Sequence, residues 1–156
     1  MLSFKKYVEG FSALHEVTID NRNGMGAVPN NQEIDYFGLR VQMKPSIFLK
    51  LAAKTSSRAS DEMKDYIRDG GAIGAPFLIL DIPEGMNDAP TVIGHEGRHR
   101  MMAVKEVEGD KPLEVHIFPQ GAVCRTKHIN KDIEKYMRNG AYKENTNTLV
   151  RGPLWT

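Results

Sequence analysis

The chain carries a single cysteine, Cys124, among 156 residues. No intrachain disulfide can form, so the fold must be held by packing and hydrogen bonds. That is compatible with a reducing cytoplasm, the expected location. A lone thiol is expected as a small packing side chain, not a nucleophile. No apolar run approaches the roughly 20 residues needed to cross a bilayer, and there is no secretory signal pattern, so no membrane partner is expected. An excess of one charge is missing too. Lys and Arg number 21 against 20 Asp and Glu, a net charge of +1, and this balance demands neither nucleic acid nor an acidic surface. Internal repeats and low-complexity tracts are absent, which argues against a solenoid. The length suits one domain with a sizeable core.

Against this plain background one stretch stands out, Val92-Ile93-Gly94-His95-Glu96-Gly97-Arg98-His99-Arg100-Met101-Met102-Ala103. It supports two incompatible readings. Residues His95 to His99 spell H-E-x-x-H, the pattern in which two histidines four apart on a helix hold Zn²⁺ and the Glu polarises a bound water. That chemistry needs one continuous helix. Gly94 and Gly97 interrupt it, the β-branched Thr91-Val92-Ile93 after Pro90 predicts a short strand, and His95 is then expected on a turn. Arg98 and Arg100 would also put two positive charges beside the metal. His116 and His128 fall in no recognisable third-ligand pattern. Zinc is therefore the weakest of the cofactor readings.

The second reading is a phosphate turn: a strand, a glycine turn, then a helix starting near Gly97. Helix-start amides point outward and the helix dipole favours an anion there. Gly97 permits close approach to the backbone. Arg98 and Arg100 supply charge, and Arg grips phosphate bidentately. Arg100 is in phase with Ala103, Val104 and Val107 and is expected to point inward, with Arg98 on a more exposed face. Glu96 suits a Mg²⁺ ligand or a proton acceptor, and His99 an acid or hydrogen-bond donor. The structural alternative is that Arg100 pairs with a buried carboxylate while His99 caps the turn.

Upstream, Ser60 is placed to cap a helix through Met63, Tyr66 and Ile67, with Asp61 and Glu62 in its first turn and Gly70 past its end. Gly71-Ala72-Ile73-Gly74-Ala75-Pro76 and the apolar run Phe77-Leu78-Ile79-Leu80 follow. After the turn come a helix and the alternating Leu113-Glu114-Val115-His116-Ile117. The two boxes in this order resemble the ParB/sulfiredoxin superfamily. Glu96-Gly97-Arg98-His99-Arg100 is similar to the Asp-Gly-x-His-Arg form of its ParB-like nucleases and free serine kinases. Arg98 stands where sulfiredoxins carry a reactive Cys, which argues against sulfiredoxin chemistry. Only Gly97, Arg100 and Ala103 align with the box of chromosome-partitioning ParB, and its helix-turn-helix domain has no room here.

The resemblance implies an α/β (mixed α+β) fold, a compact domain with a small mixed sheet flanked by helices. Its organisation would be an N-terminal helix and loop (1–35), a core (36–120), and a C-terminal helix and tail (121–156) on the same domain. The implied ligand is a nucleotide, with Mg²⁺, or a nucleic-acid phosphate, and the implied chemistry is phosphoryl transfer or phosphodiester hydrolysis. Glu96, His99 and Arg100 would be catalytic. Gly74, Pro76, His95, Gly97, Arg98, His99 and Arg100 would bind phosphate or nucleotide. A second function class is a non-enzymatic binding protein with the same fold and a protein partner; the third is the zinc peptidase.

The remaining segments are read more simply. Ser3 caps an amphipathic helix bearing Phe4, Tyr7, Val8, Phe11 and Leu14. The opening residues through Leu14-His15-Glu16 resemble the cleaved leaders of tailed-phage head proteins, which implies a phage protein in host cytoplasm or virion. Asp20 to Asn31 reads as a mobile loop. Phe37, Leu39, Val41 and Met43 alternate with polar neighbours as a strand, and Pro45 opens a helix through Ile47, Phe48, Leu51 and Ala52. Lys54 to Ser60 reads as a linker. Asn130 caps a helix with Ile133, Tyr136 and Met137 that stops at Gly140. The apolar ending at Leu154-Trp155 reads as a packing anchor for the domain or a partner. Arg98, Arg100, Lys105, Arg125, Lys127 and His128 form a basic surface only if the fold gathers them; a mixed, solvated surface is the plainer expectation.

Overall fold

The computed structural model describes residues 17–27, 38–52, 59–120, 131–138 and 140–156. The expectations for the first helix and leader, Phe37, most of the linker after Ala52, Cys124, Arg125, Lys127, His128 and Asn130 lie outside the described residues. The described chain runs β1 (Leu39–Met43), α1 (Pro45–Leu51), α2 (Asp61–Arg68), β2 (Phe77–Asp81), β3 (Thr91–Glu96), α3 (Arg98–Glu108), β4 (Leu113–Gln120), α4 (Lys131–Met137), β5 (Ala141–Lys143) and β6 (Leu149–Arg151). The strands make one mixed sheet in the order β1-β4-β2-β3-β5-β6. Neighbours β4 and β2, and β3 and β5, are parallel; the other three pairs are antiparallel. This is the α/β mixed fold that the resemblance implied.

Local chemistry explains most elements. In β1 Val41 and Met43 are buried while Arg40 and Gln42 are exposed, the two-residue alternation of a half-buried strand. Pro45 occupies the start of α1, where its missing N–H costs nothing. Ser60 caps α2, its hydroxyl oxygen accepting from the Met63 amide at 3.1 Å. Asp61 and Glu62 sit at the positive end of that helix. Leu78 and Leu80 of β2 and Leu113, Val115 and Ile117 of β4 bury one side-chain row each. They pack with Phe48 and Leu51 of α1, Ile67 of α2, Met101 and Val104 of α3, and Ile133 and Met137 of α4. Helix α3 lies against both α1 and α2.

The sheet curls until its two ends are joined. Beyond β6 the chain crosses to β1, where Thr156 and Gln42 exchange two backbone hydrogen bonds of 3.0 Å. That pairing covers part of an edge that would otherwise expose unpaired groups. Leu154 is buried on the way. The Trp155 indole N–H donates to the Tyr142 hydroxyl at 2.9 Å, and that hydroxyl donates to the Met137 carbonyl at 2.9 Å. The Arg138 guanidinium lies 4.7 Å from the centre of the Trp155 ring. Burial pushes the Tyr142 phenol far above its ordinary value. No helix among the described residues is long and apolar enough to cross a membrane.

The segment read as a loop is one in its described part, Asp20 to Ala27, a run of turns fastened to the domain. Ile19 and Met25 both form bridges with Ile73. The Asp20 carboxylate accepts from the Arg22 and Asn23 amides at 3.0 Å, which tightens the turn. These amides also hold the exposed Asp20 carboxyl below its usual range. Gly24 lets the strap lie directly on the Ile73 backbone, where a Cβ would stand 2.5 Å from the Ile73 carbonyl carbon.

Replacing Tyr142 by Phe is expected to destabilise the protein by about 1–3 kcal/mol, because it strands a buried carbonyl and an indole N–H. Chemical denaturation checks this; an unchanged midpoint would show that the tail is not anchored through this hydroxyl.

Candidate functional site

Strand β3 runs through to Glu96 because His95 and Glu96 pair with Leu78 and Phe77 of β2. Gly97 then takes the left-handed conformation, φ 99°, and α3 starts at Arg98. The first bond of the helix runs from the Met101 amide to the Gly97 carbonyl, 2.9 Å. The amides of Arg98, His99 and Arg100 therefore have no acceptor within the helix. His95 stands on a strand and not on a turn, a correction, since pairing with β2 extends the strand by three residues. The one-faced helical geometry that H-E-x-x-H zinc binding requires is not formed. Among the described residues no group of three or more His, Cys, Asp or Glu is placed to hold a metal.

Arg100 points inward, as its helical phase predicts, and only 6% of its side chain is exposed. Its Nη1 donates to Glu96 Oε1 at 2.9 Å and its Nε to the Gly74 carbonyl at 3.3 Å. Gly26 lies flat against the guanidinium; any Cβ there would overlap Nη1. A Cβ on Gly97 would meet Pro76 Cβ at 2.8 Å and Arg100 Nη2 at 2.9 Å. The fold thus gathers Gly26, Gly74, Pro76, Glu96, Gly97 and Arg100. Arg100 Nη2 is buried and, among the described residues, has no hydrogen-bond partner. A buried donor left unmade costs about 1–3 kcal/mol, and more on a charged group. The pairing carboxylate is not buried, with 49% of the Glu96 side chain exposed.

The wall opposite Arg100 rests on a second polar network. The Ala75 amide donates to Asn21 Oδ1 at 2.8 Å, and Asn21 Nδ2 donates to Glu114 Oε2 at 3.2 Å. That carboxylate oxygen lies 2.5 Å from Nε2 of the fully buried His116. The His116 amide donates to the Pro76 carbonyl at 3.0 Å.

Three sequence candidates do not join the cluster. Arg98 is half-buried and tied elsewhere: its Nε donates to the Ala52 carbonyl at 2.9 Å, and its Nη1 meets the Met102 sulfur at 2.9 Å. As its helical phase predicts, it is more exposed than Arg100, and the open carbonyl after α1 captures it. His95 follows strand alternation to the side opposite Glu96. Partial burial, then the Arg98 charge, hold its pKa below 6.5 against the opposing pull of Glu96. His99 is exposed on the first turn of α3. Sequence reading missed Asn21 and Gly26. The run Asn21-Arg22-Asn23-Gly24-Met25-Gly26 carried the signal, two glycines spaced for close backbone contact, but was taken only as a loop. No protein-family model, no curated protein and no solved structure matches the chain.

Gly97→Ala is expected to cost about 2–4 kcal/mol, from the left-handed backbone and the displaced Pro76 and Arg100 contacts. Urea denaturation reads it, and a loss under about 0.5 kcal/mol, the size of an ordinary surface change, would refute the packing. A second expectation concerns pH. The folded state binds a proton on His95 less readily than the unfolded chain. Stability therefore falls as pH drops through 6.5 and levels off below the folded value. His95→Gln should flatten that slope in melting curves taken either side of 6.5; an unaltered slope would show that His95 contributes nothing to it.

Proposed function

We propose that the β3–α3 turn is a phosphate-binding site of ParB/sulfiredoxin-like type and serves a nucleotide or a nucleic-acid phosphate. The single observation that carries this is Arg100 Nη2, a buried cationic donor without a partner among the described residues, beside a helix start whose amides point outward. A phosphate oxygen on Nη2 and the Arg98–Arg100 amides would satisfy all of them together. Gly97 keeps this corner free of a Cβ, and Gly74 and Pro76 form the far wall. The order of the two sequence boxes supports the same reading.

The chemistry that fits is phosphoryl transfer or phosphodiester hydrolysis. Arg100 would neutralise charge that grows on the transferring phosphoryl group. Glu96, half-exposed and next to Arg100, would accept a proton from a hydroxyl nucleophile or hold Mg²⁺ delivered with the phosphate. One carboxylate suffices for that, because Mg²⁺ on phosphates usually keeps several waters. The ion would supply charge neutralisation of the phosphate oxygens. His99, exposed at the helix start, would donate to a leaving oxygen. Arg98 acts at one remove, by locking the end of α1 to α3.

The second reading is a binding protein without turnover, with phage origin and a protein partner as its setting. The Arg100–Glu96 pair favours it, since that pair already balances the one inward cation at the turn.

Melting curves with ATP, CTP, GTP, ADP and single-stranded DNA, each with Mg²⁺, test the proposal. A ligand at 100 times its Kd adds about 2.7 kcal/mol, equivalent to about 5–10 °C in a domain of this size. The rise should vanish in Arg100→Lys, which keeps the charge but loses the fork. Turnover of the ligand that shifts then separates enzyme from binder. No shift with any ligand would defeat the phosphate reading.

A further inference from the structure

Resting on the phosphate reading, we infer that Asp20–Ala27 is a strap closed over the site, and that a phosphate monoester or pyrophosphate binds by displacing it. Among the described residues Arg100 Nη2 has no partner, yet it is sealed from solvent. A ligand cannot reach it unless a neighbouring segment moves. Candidates are the elements around the guanidinium: β3, the Gly74–Pro76 wall and the strap. Strand β3 is paired with β2 through to Glu96, and with β5 at Thr91. The wall runs directly into β2, which lies between β3 and β4. The strap is held differently. Its side of the contact is Gly26, which covers Nη1 with bare backbone.

Among the described residues five hydrogen bonds fasten it. The Asp20 amide donates to the Ile73 carbonyl at 2.8 Å, the Met25 amide to the Ala72 carbonyl at 2.9 Å, and the Gly74 amide to the Met25 carbonyl at 2.9 Å. Asn21 makes the two side-chain bonds to Ala75 and Glu114. Each is worth about 0.5–1.5 kcal/mol net, so opening is within reach of a charged ligand. Gly26 at φ 76° and Gly24 give the strap backbone freedom that other residues lack. In the free protein Gly26 covers the guanidinium at Nη1; once the strap is displaced, a phosphate enters along that edge and places an oxygen on Nη2.

This makes a counterintuitive outcome testable. When the competent state is a minor one, apparent affinity scales with its population. Asn21→Ala weakens the closed state by removing two fastenings without touching Arg100, Glu96 or the helix start. Pyrophosphate with Mg²⁺, titrated calorimetrically into the full chain, should bind the variant about thirtyfold more tightly, the effect of two hydrogen bonds of about 1 kcal/mol each. Unchanged or weaker binding overturns the strap. Amide exchange of the unaltered protein gives the second readout. Saturating pyrophosphate should speed exchange at Met25 and Gly74 by about tenfold or more, as for amides released by local opening, while slowing Arg98, His99 and Arg100. Slowing at Arg98–Arg100 with Met25 and Gly74 unchanged overturns the strap but keeps the phosphate site. No binding to either protein and no change at any of these amides overturns both.

Discussion

A buried guanidinium has to be satisfied on every side, and Arg100 organises its surroundings on that condition. Its Nη1 holds Glu96 from the end of β3, its Nε holds the Gly74 carbonyl ahead of β2, and its plane supports Gly26 of the strap. Three segments far apart in sequence meet on one side chain. Desolvating this cation without partners would cost several kcal/mol, so the glycines that permit close approach are as necessary as the acceptors. Among the described residues Nη2 finds no acceptor, and the functional reading grows from that unmet donor.

The fold delivers this arrangement through the path of its chain. Strand β3 ends, and β2 begins, at the same end of the sheet, as the pairing of Phe77 with Glu96 shows. Helix α3 leaves from that end, which puts its positive terminus beside the Gly74–Pro76 wall. Strand β4, parallel to β2, presents His116 in register with Phe77. The polar network from His116 through Glu114 to Asn21 thus supports the wall from the other flank. Curling of the sheet, with Thr156 on β1 and Trp155 on Tyr142, closes the far side of the domain.

Much of this was legible in sequence because it depends on short-range patterns. The alternation in β1, the Ser60 cap, the Pro45 start and the Gly97 break each follow from a few neighbouring residues. The inward turn of Arg100 followed from its phase with Ala103 and Val104. What escaped depends on partners distant in the chain. Arg98 is captured by Ala52, 46 residues away, which no helical phase reveals. Asn21 meets Glu114 across 93 residues. Strands β5 and β6 have three residues each, too few to display a period. The strap was read as a loop because Asn and Gly suit loops, and here the same glycines also serve close packing on Ile73 and Arg100.

The most direct test of the account looks at the Arg100 guanidinium itself. Side-chain NMR of ¹⁵N-arginine-labelled protein, with Arg100 assigned by Arg100→Lys, follows its Nε–H and Nη signals during a pyrophosphate titration with Mg²⁺. The account predicts a saturable shift of the Arg100 signals and slowed exchange of its Nη protons as Nη2 acquires a phosphate acceptor. Arg100 signals that stay fixed, while other arginines respond or none do, would contradict it and leave Arg100 as a purely structural clamp.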